Sequence, residues 1–383
     1  MSVTAAQGFT AAGVAAGIKE SGDPDLALVV NQGPRLDAAG VFTSNRVKAA
    51  PVVWSETVLA GGRVSAVVLN SGGANACTGP LGFQDTHATA ERVAAALGHS
   101  AGEVAVASTG LIGERLPMDR LLPGVDTAAR ELSGHGGESA AIAIKTTDTV
   151  HKTAVVEGEG WRVGGMAKGA GMLAPGLATM LAVLTTDADL DAAALDQALR
   201  AATRTTFDRV DSDGCMSTND TVLLLASGAA GVAPPYAEFA EAVRAVCADL
   251  AQQLVRDAEG ASKDIRVEVV GAASEADALE VARSIARNNL LKCAIHGEDP
   301  NWGRVLAAIG TTAAAFEPDQ LNVAINGVWV CKNGSVGEDR NTVDMRFREV
   351  GITADLAAGE ASAVVWTNDL TADYVHENSA YSS

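Results

Sequence analysis

Short apolar runs alternate with amphipathic stretches along most of the 383-residue chain. A short apolar run bounded by turn residues is typical of a buried strand, and apolar residues that recur every three or four positions are typical of a helix. The first pattern predicts strands at residues 63–69, 103–107, 153–156, 161–163, 221–226, 265–270 and 363–366. The second predicts helices at residues 83–97, 118–132, 190–203, 236–257 and 274–287. This mixture predicts an α/β (mixed α+β) fold.

Local signals indicate where some of these elements begin. The acidic segment Asp187–Asp189 (DAD) precedes one predicted helix, and we expect it to cap the N-terminus of that helix. Ser274 is expected to cap the helix that follows it, with Asp277 three residues later. Residues 164–171 are rich in glycine, so we expect a flexible loop there. This segment lacks the GK[ST] ending of a phosphate-binding loop, which argues against that function.

Composition and charge narrow the classes of partner. The 47 acidic and 28 basic residues give a formal net charge of −19. Nucleic-acid binding needs a basic surface, so no nucleic-acid partner is expected. Hydrophobic residues make up 48% of the chain, as in ordinary globular proteins, and aromatic residues make up only 4%. The core is therefore expected to be aliphatic.

Other features bear on location and metal content. The longest apolar run, at residues 173–184, is interrupted by Pro175 and is shorter than a membrane-spanning helix, so no membrane association is expected. The first residues lack a basic segment followed by an apolar stretch, so no signal peptide is expected. The five cysteines are widely spaced, which favours reduced thiols in the cytoplasm. The six histidines are dispersed, and no metal site is predicted.

Thr179 lies at a chemically informative position. It follows the bendable pair Pro175 and Gly176 and directly precedes the apolar run at residues 180–184. If the bond between Ala178 and Thr179 broke, the threonine hydroxyl would lie beside its own α-amine. An α-amine has a pKa of about 7.7–8.0, so it can act as the base that a threonine nucleophile needs. An ordinary threonine that opens a strand is the alternative, and the residues alone favour that interpretation.

Nine motifs along the chain bear on the choice between these two interpretations of Thr179. They are NSGGANACTG (70–79), STGLIGERLP (108–117), KTTDT (145–149), KGAGMLAP (168–175), ATML (178–181), DSDGCMSTNDT (211–221), DAEGASK (257–263), HGEDPNWGRV (296–305) and DLTADYVHENSAYSS (369–383). In content and order they resemble the ornithine acetyltransferase family of arginine biosynthesis, also called glutamate N-acetyltransferases. The resemblance spans nearly the whole chain.

The resemblance implies a self-cleaving acyltransferase with an N-terminal-nucleophile-like fold of the ornithine acetyltransferase/aminopeptidase type. Cleavage between Ala178 and Thr179 would give an α chain (1–178) and a β chain (179–383), which in this family form an α2β2 heterotetramer. Thr179 would take the acetyl group from N2-acetylornithine, and glutamate would accept it to give N-acetylglutamate. No cofactor is implied, although some members also use acetyl-CoA as a donor.

Three residues of the α chain match the family's reaction centre. Thr109 and Gly110 match the oxyanion-binding pair, where a glycine lets the backbone approach closely. Lys168 matches a substrate-binding lysine, and a cation eleven residues before Thr179 suits a substrate carboxylate. Without the resemblance, the first two residues describe a turn after a strand, and the lysine describes a solvated loop residue.

Further substrate contacts follow from the other motifs. Thr146 matches a substrate-binding threonine, and the adjacent Thr147 leaves the register open by one residue. Glu259 matches an acidic residue that would meet an ammonium group of ornithine, although a surface charge at a helix end is the alternative. Asn378 and Ser383 match the family's tail. Without the resemblance, this tail would be expected to be disordered.

Two other functions remain open from the sequence. One is a self-processing amidase or aminopeptidase in which water accepts the acyl group, but such relatives generally use serine, so Thr179 within ATML argues against it. The other is an unprocessed, catalytically inactive binding or regulatory protein. An antibiotic-pathway relative is also difficult to separate from the biosynthetic enzyme, although the motifs favour arginine biosynthesis.

Overall fold

A computed structural model describes residues 2–174 and 180–380 of the chain. It divides into two compact units. Unit 1 consists of the described residues within Met1–Asp208 and Met216–Asp257, and unit 2 of those within Arg209–Cys215 and Ala258–Ser382. Unit 1 contains residues from both sides of position 178, so the units are not the two chains expected after cleavage, and cleavage stays a prediction. No described helix is long and apolar enough to cross a membrane.

Unit 1 holds the first part of the α/β fold. Its strands are β1 (Phe9–Val14), β2 (Leu26–Asn31), β3 (Asp37–Phe42), β4 (Ala66–Asn70), β5 (Val104–Ser108), β6 (Lys152–Glu157), β7 (Arg162–Lys168), β8 (Leu181–Thr186) and β9 (Thr221–Ala226). Its helices are α1 (Ala50–Leu59), α2 (Gly79–Leu97), α3 (Met118–Arg130), α4 (Gly137–Ala143), α5 (Ala192–Thr205) and α6 (Tyr236–Arg256). The mixed α/β prediction is therefore confirmed.

Two sheets face each other in unit 1. One has the order β1-β2-β4-β5, with β4 and β5 parallel, and the other has the order β3-β9-β8-β7-β6, with β8 and β9 parallel. Alternate residues of each strand point to opposite faces. Val29 and Val67 of the first sheet therefore pack with Val183 and Leu223 of the second. Helices α2 and α3 contact the first sheet, and α5 and α6 contact the second.

Unit 2 contains one sheet and four helices among its described residues. The strands are β10 (Asp264–Ala272), β11 (Asn322–Ile325), β12 (Val328–Lys332), β13 (Ser335–Val336), β14 (Glu349–Asp355) and β15 (Ala361–Asn368), in the order β13-β12-β11-β14-β10-β15. The helices are α7 (Glu275–Ala286), α8 (Asn289–His296), α9 (Trp302–Ile309) and α10 (Ala372–Ala380). Helix α7 packs on β10 and β15 through a stripe of small and branched apolar residues.

The two predicted caps have different outcomes. The Ser274 side chain accepts a hydrogen bond of 3.1 Å from the Asp277 N–H at the start of α7, which confirms that prediction. The cap predicted at residues 187–189 is wrong, because the cap of α5 is Asp191, whose carboxylate accepts from the Ala194 N–H at 2.9 Å. Asp187 instead accepts from the backbone N–H groups of Gln7 and Arg162.

The flexible loop predicted at residues 164–171 is wrong for its first five residues, which form the end of β7. The glycines here serve close packing. A Cβ atom on Gly164 would lie 2.3 Å from the carbonyl oxygen of Ser2. A Cβ atom on Gly165 would lie 3.0 Å from Val246 of α6. Glycine in a strand thus marks the close approach of other chain segments, and the sequence pattern alone does not separate this from flexibility.

A buried cluster of charges fixes the segment that precedes β6. The Lys152 side chain is fully buried, and its Nζ atom lies 2.6 Å from Asp148 Oδ1 and 2.5 Å from Asp257 Oδ2. Burial alone would raise the pKa of Asp148, but the charges of Lys168 and Lys152 and the Gly169 N–H lower it to about 2. Asp148 is therefore an ionised carboxylate inside unit 1.

We predict that Asp148→Asn lowers stability and weakens its dependence on acid pH. The folded-state pKa of about 2 lies below the unfolded value of about 3.9, so ionised Asp148 stabilises the fold above about pH 4. This contribution, on the order of 2 kcal/mol, is lost as the pH falls through about 2. Melting temperatures measured between pH 2.5 and 5 should fall less steeply in the variant.

The matched control is Asp196→Asn, which removes an exposed ion pair with Arg200. Such a pair contributes about 1 kcal/mol or less. Parallel pH curves for Asp148→Asn and the unsubstituted protein would contradict the assigned role of Asp148.

Candidate active site

The ends of three adjacent strands meet at one edge of the five-stranded sheet. Lys168 at the end of β7 pairs with Leu181 at the start of β8, and Leu181 pairs with Thr221 at the start of β9. Met180 lies just before β8. Its N–H donates to Asp220 Oδ1 at 3.0 Å, and its carbonyl accepts from the Thr221 N–H at 3.0 Å. Hydrogen bonds therefore fix both the N–H and the carbonyl of Met180, the residue that directly follows position 179.

The predicted cleavage site and nucleophile, Ala178 and Thr179, lie outside the described residues, as does Ser383. The same holds for the predicted hinge residues Pro175 and Gly176. Their roles stay predictions. The site is therefore built here from the residues that surround this edge of the sheet.

Lys168 is buried in unit 1, with 2% of its surface exposed. Its Nζ atom lies 3.4 Å from Thr109 Oγ1 and 3.9 Å from Asp148 Oδ2. The alternative of a solvated loop lysine is thus wrong, because the residue ends a buried strand. A buried ammonium group needs charged or polar partners, since an isolated charge is costly to remove from water. The structure therefore brings together two of the predicted site residues, Lys168 and Thr109.

Thr109 and Gly110 lie where a loop after β5 meets the loop after β4. The Thr109 N–H donates to the Asn70 carbonyl, and the Thr109 carbonyl accepts from the Gly73 N–H, both at 3.0 Å. Thr109 can therefore offer an oxyanion its hydroxyl hydrogen, while Lys168 donates to the same oxygen atom. Within the described part of the chain, no acceptor bonds the Gly110 N–H. This geometry leaves two donors at adjacent residues.

Gly110 is required for two separate reasons. Its φ of +130° lies in a region that residues with a Cβ atom rarely adopt. A Cβ atom would also lie 2.7 Å from the Gly73 nitrogen and 2.9 Å from its Cα atom. Because both neighbours are backbone atoms, they cannot move aside as a flexible side chain does. The predicted close approach of the backbone at Gly110 is thus present.

Asp148 is a site residue that the sequence reasoning missed. Its Oδ1 atom accepts from the Gly169 N–H at 2.6 Å, and its Oδ2 atom accepts from the Thr146 N–H at 3.1 Å. It therefore joins the segment that carries Thr146 to the residue after Lys168. The signal in the sequence that could have identified it is the aspartate within the KTTDT motif. Thr146 and Thr147 are both partly buried.

A second group of predicted residues lies in unit 2. The Asn378 amide donates to Glu259 Oε2 at 3.0 Å, so these two residues are in direct contact. Glu259 is only 9% exposed, which argues against the alternative of a surface charge. The expectation of a disordered tail is wrong for residues 372–380, which form α10.

The tail is ordered because α10 packs against the DAEGASK motif. The Thr371 hydroxyl donates to the Gly260 carbonyl at 2.6 Å, and the Tyr374 N–H donates to that same hydroxyl at 2.9 Å. Gly260 has a φ of +61°, and a Cβ atom there would lie 2.2 Å from the Tyr374 nitrogen. Only glycine permits this contact between the loop and the start of the helix.

Glu259 lines a cavity of about 190 Å³ within unit 2. Asp213, Asp369, Lys292 and Tyr374 also line it. Burial, together with the neighbouring charges of Asp213 and Glu259, raises the pKa of Tyr374 to about 12, so its hydroxyl stays protonated at neutral pH. Three carboxylates and one buried lysine give the cavity a net negative lining, which suits a cationic group.

The chain was compared with known proteins. The ArgJ family matches residues 10–383. The arginine biosynthesis bifunctional protein ArgJ of Streptomyces avermitilis is 83% identical over 383 residues, covering 100% of both chains. The protein of the same name from Mycobacterium tuberculosis is 59% identical over 389 residues, covering 100% of this chain and 96% of the relative.

Among solved structures, the chain is similar to ornithine acetyltransferase from Mycobacterium tuberculosis, described as complexed with ornithine. The identity is 62%, with 47% of this chain and 96% of that chain covered, and the TM-score is 0.45. The relatives matched over their full length confirm the family that the nine motifs indicated. The chain belongs to the ArgJ family.

Proposed function

We propose that this acyltransferase of arginine biosynthesis transfers the acetyl group of N2-acetylornithine to glutamate through an ester on Thr179. Ornithine is released in the first half of the reaction, and N-acetylglutamate is formed in the second. Membership of the ArgJ family supports the reaction class. The observation that carries the mechanism is the contact between Lys168 Nζ and Thr109 Oγ1 at the edge of the sheet where β8 begins.

Self-cleavage comes first in this proposal. The Thr179 hydroxyl oxygen attacks the Ala178 carbonyl carbon, and the peptide C–N bond breaks as the acyl group moves from nitrogen to oxygen. Water then hydrolyses the ester, which leaves a carboxylate on Ala178 and a free α-amine on Thr179. The amine supplies the base that the hydroxyl lacked before cleavage. Hydrogen bonds to the N–H and the carbonyl of Met180 support a fixed position for this residue, which would directly follow the new terminus.

Acetyl transfer then proceeds by double displacement. The Thr179 hydroxyl attacks the acetyl carbonyl of N2-acetylornithine, its proton passes through the α-amine to the leaving nitrogen, and ornithine departs. The amine of glutamate next attacks the ester carbonyl, and the threonine oxygen recovers its proton. Each step forms a tetrahedral oxyanion, which the Thr109 hydroxyl and the Gly110 N–H are proposed to bind. Donors of this kind typically lower a barrier by about 3–4 kcal/mol each.

Substrate binding is assigned by charge. Lys168 is proposed to bind a substrate carboxylate, with Asp148 holding its ammonium group and Thr146 adding a contact. Glu259, Asn378 and Ser383 are proposed to bind the ornithine portion. The negative lining of the cavity beside Glu259 supports an ammonium ligand there. Water as the acyl acceptor is the alternative reaction, and the family match favours glutamate.

Three further points belong to the proposal. The relatives are named bifunctional, which supports acetyl-CoA as a second acetyl donor. The α and β chains are proposed to assemble as an α2β2 heterotetramer, as the family resemblance implies. A cytoplasmic location is proposed because the five cysteines are widely spaced along the chain, a pattern that favours reduced thiols.

We predict that the purified protein consists of two chains of about 18 and 21 kDa, in proportion to its 38.9 kDa total. Intact mass spectrometry should show an acetylated β chain after addition of N2-acetylornithine without glutamate. Acetyl-CoA should label the same chain if it is a second donor. Glutamate should remove the label and yield N-acetylglutamate, whereas loss of the label to water alone would favour the hydrolase.

Thr179→Ala should remain a single chain and lose transfer, because no hydroxyl can attack Ala178. Thr179→Ser retains a hydroxyl and is the matched control, which should still be cleaved. Transfer at the normal rate by Thr179→Ala would refute the mechanism.

We predict that Gly110→Ala lowers kcat about 100-fold, because displacement of the loop removes an oxyanion donor. Gly113→Ala is the control in the same loop, since Gly113 has a φ of +92° but no atom within 4 Å of an added Cβ. The control carries the backbone strain without the contact with Gly73. Equal kcat values in the two variants would argue against an oxyanion role for Gly110.

We predict that Glu259→Gln raises KM for N2-acetylornithine roughly tenfold or more, because a hydrogen bond to a charged group is lost. The value of kcat should change less, since the residue binds a part of the substrate that does not react. Glu360→Gln removes the same charge from an exposed site of unit 2 and should leave KM unchanged. An unchanged KM in Glu259→Gln would remove Glu259 from the binding site.

A further inference from the structure

Two consecutive residues before β9, Asn219 and Asp220, are almost completely buried. The Asn219 amide nitrogen donates to the Ala74 carbonyl at 2.6 Å and to the Ser108 carbonyl at 2.8 Å. Its oxygen accepts from the Thr218 hydroxyl at 2.6 Å. Both the nitrogen and the oxygen of this buried amide are therefore hydrogen-bonded, and these bonds fix the orientation of the side chain.

The two carbonyls that Asn219 binds lie next to Thr109, a proposed oxyanion donor, and next to Gly73, its backbone partner. Ala74 follows Gly73, and Ser108 precedes Thr109. Gly73 and Thr109 are themselves paired, and the absence of a side chain on Gly110 allows that contact. One amide group, just before β9, thus holds the loop that carries the proposed donors and the loop paired with it, which follow β5 and β4.

Asp220 holds the other part of the site. Its Oδ1 atom accepts from the Met180 N–H at 3.0 Å, and the next residue donates from its backbone to the Met180 carbonyl. Burial raises the pKa of Asp220 well above its usual value, although the Met180 N–H, the Ser217 hydroxyl and the charge of Lys168 oppose this. Asp220 is thus a buried acceptor that fixes the N–H of the residue following position 179.

We propose that Asn219 and Asp220 are a pair of positioning residues that set the spacing between the oxyanion donors and Met180, the residue that follows the proposed nucleophile. Asn219 fixes the loops that carry the donors, and Asp220 fixes the residue that follows Thr179. Because the two residues are adjacent in the chain, covalent geometry limits the distance between them. The inference rests on the proposed function, since it takes Thr109, Gly110 and Thr179 as the reacting groups.

The inference predicts a specific loss of turnover. A misplacement of about 1 Å between reacting groups can lower a rate about 100-fold. Asn219→Asp has the same shape but directs an acceptor at two carbonyl oxygens, and Asn219→Ala removes the donor altogether. Both variants should slow self-cleavage and lower kcat 10- to 100-fold, with a much smaller change in KM for N2-acetylornithine. Asn219→Ser keeps one donor and should fall between these variants and the unsubstituted enzyme.

The matched controls are Asn31→Asp and Asn31→Ala. Asn31 is equally buried, and its amide donates to the Ala226 carbonyl at 3.0 Å, at the opposite end of β9. These variants should lose melting temperature to a similar extent but retain kcat and self-cleavage. Equal kcat losses at the two asparagines, or no loss at Asn219, would show a purely structural role and overturn the inference.

Asp220 is tested by Asp220→Asn and Asp220→Leu. The amide of Asp220→Asn keeps an acceptor for the Met180 N–H, so self-cleavage and the pH profile of kcat should be preserved. Asp220→Leu keeps the bulk but has no acceptor, and it should slow both cleavage and transfer. A shifted pH profile in Asp220→Asn would indicate a proton-transfer role and contradict positioning.

The unsubstituted protein separates this inference from the proposed function. If it is not cleaved and transfers no acetyl group, the proposed function fails. If it is cleaved and active while the Asn219 and Asp220 variants match it in kcat, only the positioning role fails.

Discussion

The buried carboxylate of Asp148 is the interaction on which the reaction site depends. It lies between two lysine ammonium groups, Lys152 and Lys168, and also accepts backbone N–H groups from two segments of the chain. Removing such charges from water is costly, and the cost is offset only when several partners are correctly placed. The cluster therefore allows a buried cation at the end of β7, within reach of Thr109 and largely removed from water.

The predicted strand at residues 221–226 matches β9 without error, because a fully buried strand is a continuous apolar run with clear ends. The same reasoning misread the glycines of β7, since neither their packing against Ser2 nor that against α6 leaves a local signal. The prediction of the site residues succeeded and failed for the same reason. Motifs identified Lys168 and Thr109, but the partners Asp148 and Asn219 act through contacts between distant segments, and one sequence does not display those contacts.

Two glycines, one in each unit, combine a positive φ with close packing. Gly110 and Gly260 both adopt a positive φ and both contact backbone atoms where a Cβ would stand. Each joins a loop to another element: the first joins two loops of unit 1, and the second joins the DAEGASK loop to α10. In each case hydrogen bonds to backbone atoms and close contact together hold a loop in place that has no regular structure of its own.

The order of the five-stranded sheet has a consequence for the fate of a cleaved molecule. Strands β9 and β8 come after position 178, and they lie between β3 and β7, which both come before it. Each of the two proposed fragments therefore contributes strands to the same sheet. Neither could dissociate without disruption of that sheet. Before the cut, renaturation is a unimolecular event. After the proposed cut it would be a bimolecular encounter that dilution disfavours, so the lifetime of the cut protein would depend on slow unfolding.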